Sequence, residues 1–272
     1  MEIPTQEATE KVVWSSDNPY IIEELPNVAF NGDHLHRPMF MSEQFVEYSG
    51  SVMSIDPSER GKHETGCPPP VVKMLNGYLY VRRCGGVAGG QSEEALQKLA
   101  VIVKDEKVNE IIVESNFGDG MFNQLFLPAL SKVHSVTMSK FRHNTQKERR
   151  IIDVLEPVMN QHRLVMDKKV IQKDFDSCQH LPPEQALRYQ LMYQLTRITA
   201  DRGALTNDDR LDALAMACQY CVDAMAQDVE VRMGARREEL VVTELDRLRE
   251  QATMGLAVIM GHQREKTTTS RW

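Results

Sequence analysis

A chain of 272 residues, 42% hydrophobic and 26% charged, is long enough for one sizeable core or for a core with appended arms. No apolar run reaches the length of a spanning helix, and the start, MEIPTQEATE, lacks the basic-then-apolar order of a secretory signal, so a cytosolic protein is expected. The net charge of -7 argues against non-specific coating of nucleic acid, leaves room for a local basic surface, and suits carboxylate chemistry.

Residues 1–50, rich in Asn, Pro, Glu and His and poor in periodic apolar runs, read as an arm or linker. The run SVMSID at 51–56 then reads as a short buried strand, closed by the turn-rich loop PSERGKHETG. Val71–Leu75 and Tyr78–Val81 flank Asn76-Gly77, a pair that favours positive φ and predicts a tight antiparallel hairpin. GGVAGGQ breaks the chain, and Ser92 is placed to cap an amphipathic helix running through Val103. EIIVE at 110–114 is an apolar strand short enough for burial on both faces, followed by SNFGDG and a helix from about Met121 to Leu130. Strand, helix and strand in that order imply a right-handed crossover and a parallel pair.

The remainder alternates in the same way. A weak strand is expected near Val133–Met138, then a basic loop, a helix from about Thr145 to Asn160 and a short extended run at Arg163–Met166. Helices follow near Glu184–Thr199 and Asp208–Met225. The pattern predicts an α/β domain over 51–227 with a mixed central sheet flanked by helices. Residues 228–272 keep only weak apolar spacing and suit a peripheral helical tail whose end, REKTTTSRW, is expected to be disordered.

The five cysteines are an odd number scattered through a long chain, and are expected to be reduced. Cys218 and Cys221 form a CxxC inside an apolar helical stretch, without a second pair or histidines to complete a zinc site. Core packing is the expectation there.

Three acidic positions fall where sheet geometry can gather them. Asp56 ends the first strand of the domain, Glu114 ends a later one, and Asp208, Asp209 and Asp212 open a helix. An ionised carboxylate at the end of a buried strand is unfavourable unless it is paired or bound to a cation. Functional groups in open α/β sheets collect at the carboxyl ends of strands, so Asp56 and Glu114 can face one crevice. Hard divalent cations prefer such oxygen ligands, and two ions roughly 4 Å apart can stabilise both the attacking and the leaving oxygen in phosphodiester hydrolysis. On the helix, Leu211, Leu214, Ala215, Cys218, Val222 and Met225 make one apolar stripe; Asp208 and Asp212, or Asp209 and Asp212, can present two carboxylates beside it. Acids in a first turn also suit the helix dipole, with Asn207 as cap. Asp119 is read as turn and capping chemistry, and His63 as a solvated loop residue.

The segments SIDPSERGKHETG, LNGYLYVRRCGG, IIVESNFGDGMF, RIIDVLEPVMNQHRLV, YQLTRIT and RGALTNDDRLDALA occur in this order. Together they closely resemble the nuclease half of terminase large subunits, or DNA maturases, of short-tailed, T7-like phages, from about Ile21 to Asp228. The resemblance implies a ribonuclease H-like fold and an acidic triad that works with two Mg²⁺ or Mn²⁺ ions. It assigns Asp56 from SIDPS and Glu114 from IIVESN, with the third position among the acids of NDDRLDALA. Related Holliday-junction resolvases carry D-x-x-D-A-L-A on the matching helix, which points to Asp209 and Asp212 and ranks Asp208 third. In that scheme Asp56 bridges the ions, Glu114 ligates one, and Asp209 with Asp212 the other.

Lys140, Arg142, His143, Lys147, Arg149 and Arg150 form the densest basic run, suited to phosphate contacts that position a duplex with little base reading. Double-stranded DNA, a terminase ATPase domain, the small terminase subunit and the portal are the implied partners, in the host cytoplasm at the assembling virion and away from membranes. The chain departs from the family pattern in three places. His63 stands where an acid is expected, and Asn207 where histidine is usual. CPPPVVK, whose prolines cannot donate ladder hydrogen bonds, requires its strand to begin only at Val71 or to lie at a sheet edge. No GxxxxGK[ST] loop occurs, so the family's ATPase is expected to be missing and the chain not to translocate DNA by itself. A resolvase or transposase of the same fold, and a non-catalytic module docking on DNA or portal, are the competing functions.

Overall fold

The structure, a computed structural model, describes residues 7–56, 69–87, 89–114, 121–141, 145–228, 230 and 233. The chain divides into two units, Met1–Val222 and Asp223–Trp272. In the second unit the described residues, 223–228, 230 and 233, are helical, and the remainder of the expected tail lies outside the described residues.

The first unit opens with two small antiparallel ribbons. β1 (Glu7–Thr9) pairs with β4 (Phe45–Glu47), and β2 (Val12–Val13) pairs with β3 (Phe40–Met41). The stretch expected as an arm is thus partly ordered as strand, and it is fastened to the domain. Tyr78 and Tyr80 donate their hydroxyls to the carbonyls of Val12 and Thr9, and the Trp14 indole donates to His162. Ala8 joins Leu75, Tyr80 and Val165 in a small buried cluster.

The main sheet contains β5 (Gly50–Ile55), β6 (Val71–Leu75), β7 (Tyr78–Arg83), β8 (Glu110–Glu114), β9 (Thr137–Phe141) and β10 (Leu164–Met166). Their order is β10-β7-β6-β5-β8-β9, and only β6 runs against the rest. The hairpin turn holds Asn76 at φ 50 and Gly77 at φ 82, the left-handed pair that the two residues were expected to supply. β6 begins at Val71, just after the prolines, but in the interior of the sheet, because the residues lacking amide donors end before its ladder begins.

Among the described residues the first unit also holds α-helices α1 (Glu93–Asp105), α2 (Met121–Ser131), α3 (Lys147–Asn160), α4 (Lys168–Asp176), α5 (Pro183–Tyr189), α6 (Leu191–Arg197) and α7, which begins at 209 and continues to the end of the unit at 222. The Ser92 hydroxyl caps α1 by accepting from the Ala95 amide. Side chains alternate across each strand. Met53, Ile55, Ile111 and Val113 therefore form one face, packed with residues of α1 and α2 in the larger core cluster.

The opposite face receives α7. The Ser54 hydroxyl donates to the Ala213 carbonyl at 2.5 Å, and residues 210–218 are all buried. An amphipathic helix with one apolar stripe was expected; the observed helix is enclosed on every side over 210–218. Besides the sheet it meets Asp174 of α4 through Arg210, Gln194 of α6 through the Leu211 amide, and α3 through Asp212. Burial all round is the mark of a central helix. It also settles the CxxC: Cys218 and Cys221 are free thiols in the core, and burial raises both, Cys218 to about 12.

Candidate active site

β5 and β8 are parallel neighbours with Ile55 opposite Val113, which sets Asp56 and Glu114 side by side where the two strands end. The next strand outward, β9, aligns Phe141 with Glu114, so the same end of the sheet continues to Lys140. α7 brings its first turn to this end because Ser54 moors it across β5. The pieces predicted from strand ends and a helix start are thus drawn to one place by register and by a single hydroxyl contact.

The acids act on one another electrostatically. Asp56 is pushed up from 3.8 to about 7 by burial, then by the negative charges of Glu114 and Asp209, with Lys147 pulling the other way and Asp212 adding to the rise. Burial and the Asp212 carboxylate raise Glu114 as well, against Lys147, Arg150 and a hydrogen bond from Asp56. A hydrogen bond between two carboxyl groups requires that one of them hold a proton, which also relieves the repulsion of two like charges forced together.

α3 lies over these acids and supplies two cations. Lys147 Nζ stands 2.8 Å from Asp208 Oδ1 and 3.0 Å from Asp212 Oδ2. Burial works against the lysine charge, but Asp212 and Asp208 outweigh it and hold the ammonium well above its ordinary value. Arg150 Nη2 donates to Asp212 Oδ1 at 2.5 Å, and Asp212 is 1% exposed.

The structure therefore separates the three aspartates that the sequence left open. Asp209 and Asp212 act on Asp56, and Lys147 pairs both with Asp212 and with Asp208, which stands just before α7 begins. Among the described residues no three Asp, Glu, His or Cys side chains stand ready in an ion-holding cage. Asp56 and Glu114 share a hydrogen bond, and Asp212 faces two side-chain cations.

The basic run is divided. Lys140 and Arg149 are exposed, while Lys147 and Arg150, expected as phosphate contacts, turn inward to the acids. A signal for the inward turn was present: Lys147 shares the spacing of Ile151, Leu155 and Val158, the buried stripe of α3. Arg142, His143, His63 and Asp119 lie outside the described residues.

Residues 55–164 match the family described as the ribonuclease H-like domain of the bacteriophage T7 terminase. The terminase large subunit of Enterobacteria phage T3 is 41% identical over 206 residues, which cover 76% of this chain and 35% of that protein. The chain thus spans about a third of the length of this relative. Among solved structures, the human cytomegalovirus terminase nuclease domain, Mn soaked and inhibitor bound, has a TM-score of 0.45 at 13% identity, covering 64% of this chain and 83% of that one. The nuclease domain of the large terminase subunit gp2 of bacterial virus Sf6 has a TM-score of 0.42 at 12% identity, covering 63% and 88%. The stretch similar to the ribonuclease H-like domain of the bacteriophage T7 terminase, residues 55–164, takes in both Asp56 and Glu114.

Proposed function

We propose that this chain is the endonuclease domain of a terminase large subunit, a phosphodiester hydrolase that cuts concatemeric double-stranded phage DNA during genome packaging. The observation that carries the proposal is the convergence of Asp56, Glu114, Asp209 and Asp212 at one end of the sheet, close enough to perturb one another. Carboxylates so gathered are unfavourable unless protons or cations relieve them.

The donor set fits hard divalent ions, Mg²⁺ or Mn²⁺: it is all carboxylate oxygen, and the raised Asp56 marks a place short of positive charge. Asp56 would hold two ions jointly, with Glu114 on one side and Asp209 and Asp212 on the other. When bound, the ions supply Lewis acidity at the scissile phosphate and a nucleophile at neutral pH. The protein's own part begins with Asp56, which gives up to solvent the proton it shares with Glu114. Lys147 and Arg150 fix the direction of Asp212 and keep α3 against α7. Lys140 and Arg149, with Arg142 between them in sequence, contact backbone phosphates and set the duplex without reading bases. The ATPase domain, the small subunit and the portal are partners of the whole terminase to which such a domain contributes.

A docking module without catalysis is the competing reading, favoured by the double neutralisation of Asp212. One assay separates the two. The purified chain with Mn²⁺ should nick and then linearise supercoiled plasmid, EDTA should stop it, and Asp56→Asn should remove cutting while leaving the circular dichroism spectrum unchanged. Intact plasmid with wild-type protein in both Mn²⁺ and Mg²⁺ would favour the docking module. A fully active Asp56→Asn would refute the role given to Asp56.

A further inference from the structure

Between the start of α3 and the middle of α7 lies a pocket of about 400 Å³, whose lining is polar, Arg149, Arg150, Asp153 and Gln219 among it, except for Val154. Its walls have donors to spare. Gln146 occupies the cap position of α3 without a side-chain cap bond, so the positive end of a 14-residue helix opens here. Arg150 is 7% exposed; one of its nitrogens bonds Asp212, while Nε and Nη1 are buried without a hydrogen-bond partner. Leaving such donors unmet is unfavourable by about 1–3 kcal/mol, more for charged groups. Gln219 Oε1 is buried and unpartnered too, and turning its amide over would present an N–H instead.

We infer that this pocket seats a phosphate of the DNA backbone flanking the one that is cut, and that Arg150 joins that phosphate to Asp212 through a single guanidinium. The helix end, the two unpartnered nitrogens of Arg150 and the exposed Arg149 all favour an oxyanion. Asp153, exposed at the rim, opposes it and sets the affinity below what the cations alone would give. The position suits a neighbouring phosphate, because Arg150 reaches the pocket and an acid of the candidate site at once. Arg150 is on this account a positioning residue: a filled pocket fixes its guanidinium and with it the direction of Asp212.

The inference rests on the nuclease reading, and the test keeps the two apart. Binding of the full chain to a short fluorescent duplex is followed by anisotropy in EDTA across a salt series. Arg150 itself is left intact, since removing it also strips Asp212. Gln219→Glu should weaken binding several-fold and lower the slope of log K against log salt by about 0.9, the loss of one phosphate contact. Asp153→Asn should tighten binding, an effect that a merely structural role does not produce. Gln185→Glu, the same charge change on the exposed face of α5, should do neither. Wild-type protein that cuts and binds DNA while Gln219→Glu binds equally well, or no more weakly than Gln185→Glu, overturns the pocket alone. Wild-type protein that neither cuts nor binds overturns the nuclease reading together with it.

Discussion

A carboxyl group raised from 3.8 to about 7 in the folded chain binds protons more readily there than in the unfolded chain. For Asp56 the folded state therefore holds the extra proton between about pH 4 and pH 7, and its contribution to stability falls as pH rises through that window. Asp56→Asn cannot ionise. In EDTA the variant should melt above wild type near pH 8, with the gap closing toward pH 4; thermal unfolding across that range measures it, and a gap independent of pH would contradict the crowding of charge described for the site. Asp56 and Glu114 were legible because an acid at the end of an apolar run stands out. The third position could only be ranked, Asp209 and Asp212 ahead of Asp208, since three acids within four residues differ chiefly in what faces them. Lys147 reaches both Asp208 and Asp212, and no local pattern announces a partner 61 residues away.

Elements defined by local chemistry were readable, and those defined by distant partners were not. The hairpin at Asn76-Gly77 and the Ser92 cap lie in the first class. Gly77→Ala meets no atom closer than 3.7 Å, so its effect should come from backbone strain at positive φ, about 1–2 kcal/mol by chemical denaturation. A smaller loss would mean that the turn relaxes. β9 begins at Thr137 rather than near Val133, because the amides of Val133 and His134 still bond the Leu130 carbonyl at the end of α2. The single helix expected over 184–199 breaks at Gln190, which is extended. The cause lies in α4: the Asp174 carboxylate accepts from the Leu191 and Met192 amides and also pairs with buried Arg210 at 2.5 Å. Asp174→Ala should cost about 3–5 kcal/mol in equilibrium unfolding, since it strands a buried guanidinium and uncaps α6. A loss below about 1 kcal/mol would show that Arg210 finds water instead.

At the scale of the molecule, alternation of strands and helices was enough to foresee a mixed sheet with acids at its carboxyl end. The first fifty residues were misjudged in character, because strands of two or three residues carry too little periodicity to register. Their hold on the domain is specific: Tyr80 is fully buried and its hydroxyl donates to the Thr9 carbonyl. Deleting residues 1–47 should therefore lower stability by about 3 kcal/mol or more, as the uncovered Tyr80 loses both burial and a hydrogen bond; an unchanged melting temperature would show that the segment is dispensable. The central claim is that acids remote in the chain share divalent ions at one place. Anomalous diffraction from crystals soaked in Mn²⁺ tests it most directly. Ion peaks between Asp56, Glu114 and the Asp209–Asp212 turn are predicted, and their absence from wild-type crystals, or their appearance only at other surface acids, would contradict the account.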